Sequence, residues 1–189
     1  IWLAGTLGTV DQAANQIAIN LASTTFMVAV GLGVTATIRV GNQKGLKDFL
    51  NLRRISYSVF FQIFLIEFVF AILFFIFKDL LPAIYIDDEA VIKTAAPLLL
   101  IAGLFQLSDG IQVVVLSALR GLQDVKVPTY ITFIAYWIIG FPISFVLGKW
   151  LGLGSIGIWI GLLAGLTASA FLLFWRFNHL SKKLILENR

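Results

Sequence analysis

The chain contains no cysteine and a single histidine, which excludes disulfides, thiolate metal centres, cysteine nucleophiles and any multi-histidine metal site. Charge is scarce as well. Only 13% of the residues are Asp, Glu, Lys or Arg, about half the roughly 25% of a soluble domain. With 59% hydrophobic residues and a mean hydropathy of +0.95, a soluble single domain is excluded. No low-complexity tract, soluble-domain boundary or signal peptide is visible. The net charge of +4 does not point to nucleic acid, because the basic residues sit between apolar runs, where bilayer orientation explains them. Enzyme motifs fail too: there is no Walker loop, HExxH, GxSxG or carboxylate pair with an accompanying histidine. The expectation is a non-enzyme without a cofactor.

What is present is a series of apolar runs long enough for a ~30 Å hydrocarbon core. They cover about residues 10–38, 55–77, 91–119, 127–147 and 156–175. Together they predict an all-α polytopic membrane protein whose partner is the lipid bilayer. The opening IWLAG, from Ile1 to Gly5, reads as the end of a truncated helix, and the whole chain 1–189 reads as a fragment.

Positively charged loops stay on the cytoplasmic side. Alternating the sides assigns Arg39, Lys44, Lys47, Arg53, Arg54, Arg120, Lys126, Arg176, Lys182, Lys183 and Arg189 to one face and Lys78, Lys93 and Lys149 to the other, 11 against 3. This predicts five crossings, a cytoplasmic tail at 176–189, and Gly5 to Thr9 at the outer surface. Tyr85 and Trp150 fall at span ends, the headgroup level favoured by amphipathic rings. The stretch from Gly148 to Ser155 has the glycines of a tight outer connection. The segment from Asn178 to Arg189, which includes His179, is expected to lie on the membrane surface.

Several polar residues sit where a span would not carry them idly. Gln12, Gln16, Asn20, Ser23 and Thr24 recur at helical spacing on one stripe. Such a stripe faces protein or water, either as a cavity wall or in interhelical hydrogen bonds. Asp109, in LFQLSDGIQ, lies near mid-span, where a carboxylate costs at least about 2.5–3.5 kcal/mol. Gln106, Asp109 and Gln112 are expected to share one polar face that holds a cation or a proton, or bonds a neighbouring helix. Glu67, in FLIEFVF, is a second mid-span acid, either bonded to another helix or facing a partner outside this chain. Pro97 and Pro142 each remove a backbone donor inside a span and predict kinks. Gly157, Gly161 and Gly165, spaced by four, predict a close-packed helix face.

Three stretches carry a family resemblance: LGTVDQAANQIAINLASTTFMVAVGLGVTATIRVGN, LFQLSDGIQVVVLSALRGLQDVKVPTYITFIAYWIIGFPISFVLG and LGSIGIWIGLLAGL. The specific combination is LRGLQD followed by VP, after an intramembrane QLSDGIQ. On these residues the chain resembles the C-terminal half of the multidrug and toxic compound extrusion (MATE) transporters, NorM-like bacterial branch. The resemblance covers about two thirds of the chain; residues 53–94 match mainly by hydrophobicity.

It implies one six-helix lobe, its first helix truncated, of a twelve-helix, two-lobe pseudo-symmetric transporter in a bacterial inner membrane. It implies a secondary antiporter that exports amphipathic, often cationic compounds in exchange for H+ or Na+ by alternating access. Asp109 matches the family's cation or proton coupling acid, with Gln12, Gln16, Asn20, Thr24, Phe105, Gln106 and Gln112 as candidate cavity lining. Arg120, Gly121, Asp124 and Pro128 match the cytoplasmic linker signature, and Arg39, Gly41 and Gly45 match the corresponding turn two spans earlier. After that turn LKDFLNLRR replaces the family's small, glycine-rich continuation. By the resemblance, the partner acid of the coupling site lies on the truncated first helix of this lobe, before Ile1. Phe105 stands where some relatives carry tyrosine, which favours a proton over sodium. The alternatives are a lipid-linked glycan flippase of the same superfamily, for which no Lys or Arg lies near mid-span to hold a pyrophosphate, and a non-functional remnant.

Overall fold

A computed structural model of the chain describes residues 8–188. The stub at Ile1 to Gly5, most of the Gly5 to Thr9 connection, and Arg189 lie outside the described residues. The regular elements are helices: α1 (Thr9–Gly45), α2 (Phe49–Ile76), the single turn α3 (Leu80–Ala83) and α4 (Glu89–Gly121). A composite span follows, made of α5 (Lys126–Ile134), a π-helical stretch (Ala135–Gly140), α6 (Phe141–Phe145) and a second π-helical stretch (Val146–Trp150). The last element is α7 (Gly154–Glu187). Counting the composite as one, five elements are long and apolar enough to cross a membrane. The all-α polytopic class read from the sequence is the class observed.

Two of the helices begin where a side chain supplies an acceptor for unpaired amides. Asp48 accepts from Asn51 N at 3.1 Å at the start of α2, and Asp88 accepts from Ala90 N at 2.9 Å at the start of α4. Except for α2, which stops at Ile76, the helix ends run past the apolar runs. An apolar run stops at its first charge, such as Arg39, Arg120 or Arg176, but the backbone ladder is indifferent to hydrophobicity and continues until a residue turns left-handed. Lys47 at φ 57° and Gln123 at φ 64° are those residues after α1 and α4. In both places the next amide returns to a carbonyl five residues back, Asp48 N to Gln43 O at 3.0 Å and Asp124 N to Leu119 O at 3.0 Å. Arg39, Gly41 and Gly45 therefore lie inside α1, and the turn itself is Leu46 to Asp48.

The expected surface segment after the last span is corrected in the same way. α7 continues unbroken to Glu187, and at about 1.5 Å per residue its 34 residues reach roughly 50 Å, well beyond a ~30 Å core. The extension stays packed on α2. Phe177 is fully buried, and Asn178 accepts from Arg53 Nη2 at 2.8 Å and Tyr57 OH at 3.2 Å. His179 is exposed and stacks on Trp175.

α4 is the central helix, in contact with α1, α2 and α7, while the composite span packs almost wholly on α7. Pro142 has no N–H for the carbonyl of Ile138, and the backbone on either side of α6 runs in wide π turns. Pro97 sits inside an uninterrupted α4. One apolar core, around Leu52, Phe60, Leu119 and Phe177, lies towards the basic loops; the other, around Ala14, Leu98, Leu99 and Trp159, lies towards the opposite end. Outward-facing Phe61, Phe75, Trp137, Phe171 and Trp175 are exposed, the surface a bilayer solvates and water would not.

Candidate functional site

A pocket of about 210 Å³ opens between α1, α4 and α7. Its walls are Asn15, Ile19, Ala22, Ser23 and Phe26 from α1, Phe105 and Asp109 from α4, and Ile158, Trp159 and Leu162 from α7. The rear wall is held rigidly. Trp159 Nε1 donates to Asn15 Oδ1 at 2.9 Å, both side chains buried, and the Phe105 ring meets the Trp159 ring edge-on with centroids 5.5 Å apart. Towards the end of the same helix pair, Ser155 Oγ donates to Asp11 Oδ1 at 2.8 Å.

Asp109 is the sole charged side chain of this lining. A carboxylate among Phe26, Phe105 and Trp159 can attract an organic cation by charge while the ring faces contact it, and the same oxygens can take a proton or a small cation. The larger cleft nearby, about 470 Å³ between α2, α4 and α7, is lined by Tyr57, Phe60, Phe64, Phe171 and Phe174 among others and carries no charge. Among the described residues no three His, Cys, Asp or Glu side chains converge on one point.

The shared face expected for Gln106, Asp109 and Gln112 is not formed. Each three-residue step rotates a helical position back by about 60°, so Gln106 and Gln112 stand about 120° apart with Asp109 between them. Asp109 faces the pocket. Gln112 is buried towards the composite span, where its Oε1 accepts from Tyr136 OH at 3.1 Å. Gln106 is 3% exposed and shares the face of Gly110, the position against which Glu67 of α2 packs. Glu67 itself is 1% exposed and lies inside this lobe, not towards a partner beyond it.

On α1 the structure separates the predicted stripe from the pocket. Gln12, Gln16, Asn20 and Thr24 are exposed beside it, and Thr24 Oγ1 and Ser23 Oγ donate back to Asn20 O and Ile19 O at 3.2 and 2.7 Å. Of that stripe Ser23 alone reaches the pocket lining, while Phe105 lines it as expected. The sequence reading missed Asn15 and Trp159. Asn15 lies one position off the polar stripe, and Trp159 sits in GIWIG between two glycines of the close-packed face, where its ring reads as packing.

The linker residues gather at the basic end. A Cβ on Gly121 would stand 2.7 Å from Thr37 O, so glycine lets α4 touch α1 there. Lys44 Nζ donates to Leu122 O at 2.7 Å and Gln123 Oε1 at 2.9 Å, tying the two helix ends together. Arg176 Nε donates to Asp124 Oδ2 at 2.9 Å, which ties in α7. Pro128 is buried and Arg120 is exposed.

Comparison with known proteins places this geometry. The MatE family profile matches residues 1–146. The probable multidrug resistance protein NorM of Xylella fastidiosa strain Temecula1 is 38% identical over 182 residues, covering 96% of this chain and 39% of that protein. The probable multidrug resistance protein NorM of Xanthomonas campestris pv. campestris is 41% identical over 182 residues, covering 96% and 40%. The crystal structure of the eukaryotic MATE transporter AtDTX14 superposes with a TM-score of 0.84 at 17% identity, over 93% of this chain and 40% of that one. The chain thus spans well under half the length of the curated relatives it matches, and its fold is that of one lobe.

Proposed function

Because the chain belongs to the MatE family, we propose that it supplies one lobe of a membrane antiporter that exports small amphipathic, often cationic organic compounds. The opposing wall comes from the N-terminal lobe, the two enclose a cavity opened alternately to either side, and the membrane is the bacterial inner membrane. The basic loops and the C-terminus lie on the cytoplasmic side.

The observation that carries the reading is the Asp109 carboxylate in an aromatic pocket between three spans. An organic cation and a proton or sodium ion compete for the same oxygens, so only one is bound at a time and export is linked to the ion gradient. Phe105 packs edge-on to Trp159 and brings no hydroxyl to the pocket, which favours the proton. The pocket holds no Lys or Arg, which weighs against a pyrophosphate-linked cargo.

The test uses the complete gene, expressed in cells stripped of their own efflux pumps. Wild type is expected to extrude a fluorescent cationic dye under an imposed proton gradient, and Asp109→Asn to fall to the level of the empty vector while reaching the membrane in equal amount. Equal extrusion by both would make Asp109 structural.

A further inference from the structure

Glu67 stands at the middle of α2 and is 1% exposed. It meets α4 at Gly110, where an added Cβ would lie 2.7 Å from Glu67 Cγ and 3.2 Å from Oε1. The missing side chain of Gly110 is therefore what admits the carboxyl to the surface of α4. One turn earlier on that face stands Gln106, 3% exposed. Oε2 of Glu67 and both Oε1 and Nε2 of Gln106 lack a hydrogen-bond partner among the described residues. Three orphaned polar atoms on two neighbouring side chains are costly in a bilayer, where no water compensates them.

The two side chains are chemically complementary in either protonation state. An amide carries a donor and an acceptor on one rotatable group. An ionised Glu67 accepts from Gln106 Nε2–H, and a protonated Glu67 donates its O–H to Gln106 Oε1; half a turn of the amide converts one arrangement into the other. Asp109 is the chain neighbour of Gly110, the position whose missing side chain admits Glu67. No other titratable group faces the pair from the packed helices: α1 carries none between Asp11 and Arg39, α7 none before Arg176, and Tyr136 of the composite span is engaged by Gln112.

We propose that Glu67 and Gln106 form a second proton-holding site behind Asp109, separated from the pocket by the α4 backbone, so that the two acids share protons as a coupled pair. Two carboxylates at adjacent positions on the α4 surface in a low-dielectric slab repel when both are ionised, so the pair keeps one proton, on Glu67, when Asp109 ionises to receive an organic cation. The bonds balance simply: the O–H on Asp109 breaks as the cation arrives and that proton leaves to the pocket water, while the O–H on Glu67 persists, donated to Gln106. This rests on the proposed role of Asp109.

The experiment uses the complete transporter, purified and reconstituted. Binding of a fluorescent organic cation is titrated against pH for wild type, Glu67→Gln, Gln106→Leu and Asp109→Asn, and pH-difference infrared spectra follow the carbonyl stretch of protonated carboxyls. Glu67→Gln is expected to lose one carboxyl band and to keep the wild-type pH midpoint of cation binding, because the amide mimics the protonated acid. In Asp109→Asn the Glu67 band is expected to vanish at a pH lower by about one unit or more than in wild type, the interaction at which two sites titrate as a pair. An unchanged set of bands in Glu67→Gln, or a Glu67 band that titrates in Asp109→Asn as it does in wild type, overturns the proposal. Should Glu67→Gln not fold, Gln106→Leu decides: a displaced carboxyl band supports the pair and an unmoved one overturns it. If Asp109→Asn binds the cation as wild type does, the coupling reading fails by itself. The infrared band then still decides whether Glu67 exchanges a proton.

Discussion

The hydrogen bond from Trp159 Nε1 to Asn15 Oδ1 joins two side chains that are 4% and 7% exposed. Removing the donor leaves a buried carbonyl oxygen unpaired, a cost of about 1–3 kcal/mol. Trp159→Phe is therefore expected to lower stability by that amount, read from SDS-titrated unfolding followed by circular dichroism, and to weaken dye binding because the ring also forms the pocket wall. The double variant with Asn15→Leu should be less damaged than the sum of the singles, since the orphan oxygen goes with it. Full additivity would mean that the bond carries nothing. At this scale Asp109 was legible because a mid-span carboxylate is expensive enough to need a reason. Asn15 was not, because an asparagine in a span is common and only a neighbour's donor gives it a task.

At the level of elements, the Gly157, Gly161 and Gly165 face was readable from its spacing, and the structure shows what it touches. A Cβ on Gly161 would overlap the backbone and hydroxyl of Ser144, and one on Gly165 would stand 2.8 Å from Gly140 Cα. There Ser144 Oγ donates to Ile158 O at 3.0 Å across the same contact. Gly161→Ala is expected to destabilise by about 1–3 kcal/mol through overpacking. Gly31→Ala, where a Cβ meets nothing within 4 Å, should be neutral or stabilising by up to about 1 kcal/mol. Equal unfolding midpoints for the two variants would show that the composite span does not press on α7 as described. The wide turns flanking Pro142 were only partly legible: proline announces a lost hydrogen bond, but whether a helix answers by kinking or by widening depends on what packs against it. Except at the end of α2, the helices run past the apolar runs read for them, since an apolar run measures solvation and a helix measures backbone bonding.

For the molecule as a whole, the chain spans 39% and 40% of its NorM relatives, and in the proposed reading it is one wall of a cavity that needs two. The 189-residue chain alone, reconstituted in vesicles with an imposed proton gradient, is expected to leave a cationic dye where it was. Gradient-driven extrusion by it would sink the two-lobe reading. The amino-acid sequence by itself determined the class, the existence of five spans, the uneven distribution of basic loops and the presence of two acids where acids are costly. Each of these follows from transfer free energies, which belong to single residues and short windows. Only the tertiary structure decided which face of α4 each polar residue occupies, that the exposed stripe of α1 stands beside the pocket and not in it, and that Glu67 meets Gly110 and Gln106. Those outcomes depend on which helix lies opposite at each 100° step of rotation, and no single segment carries that information.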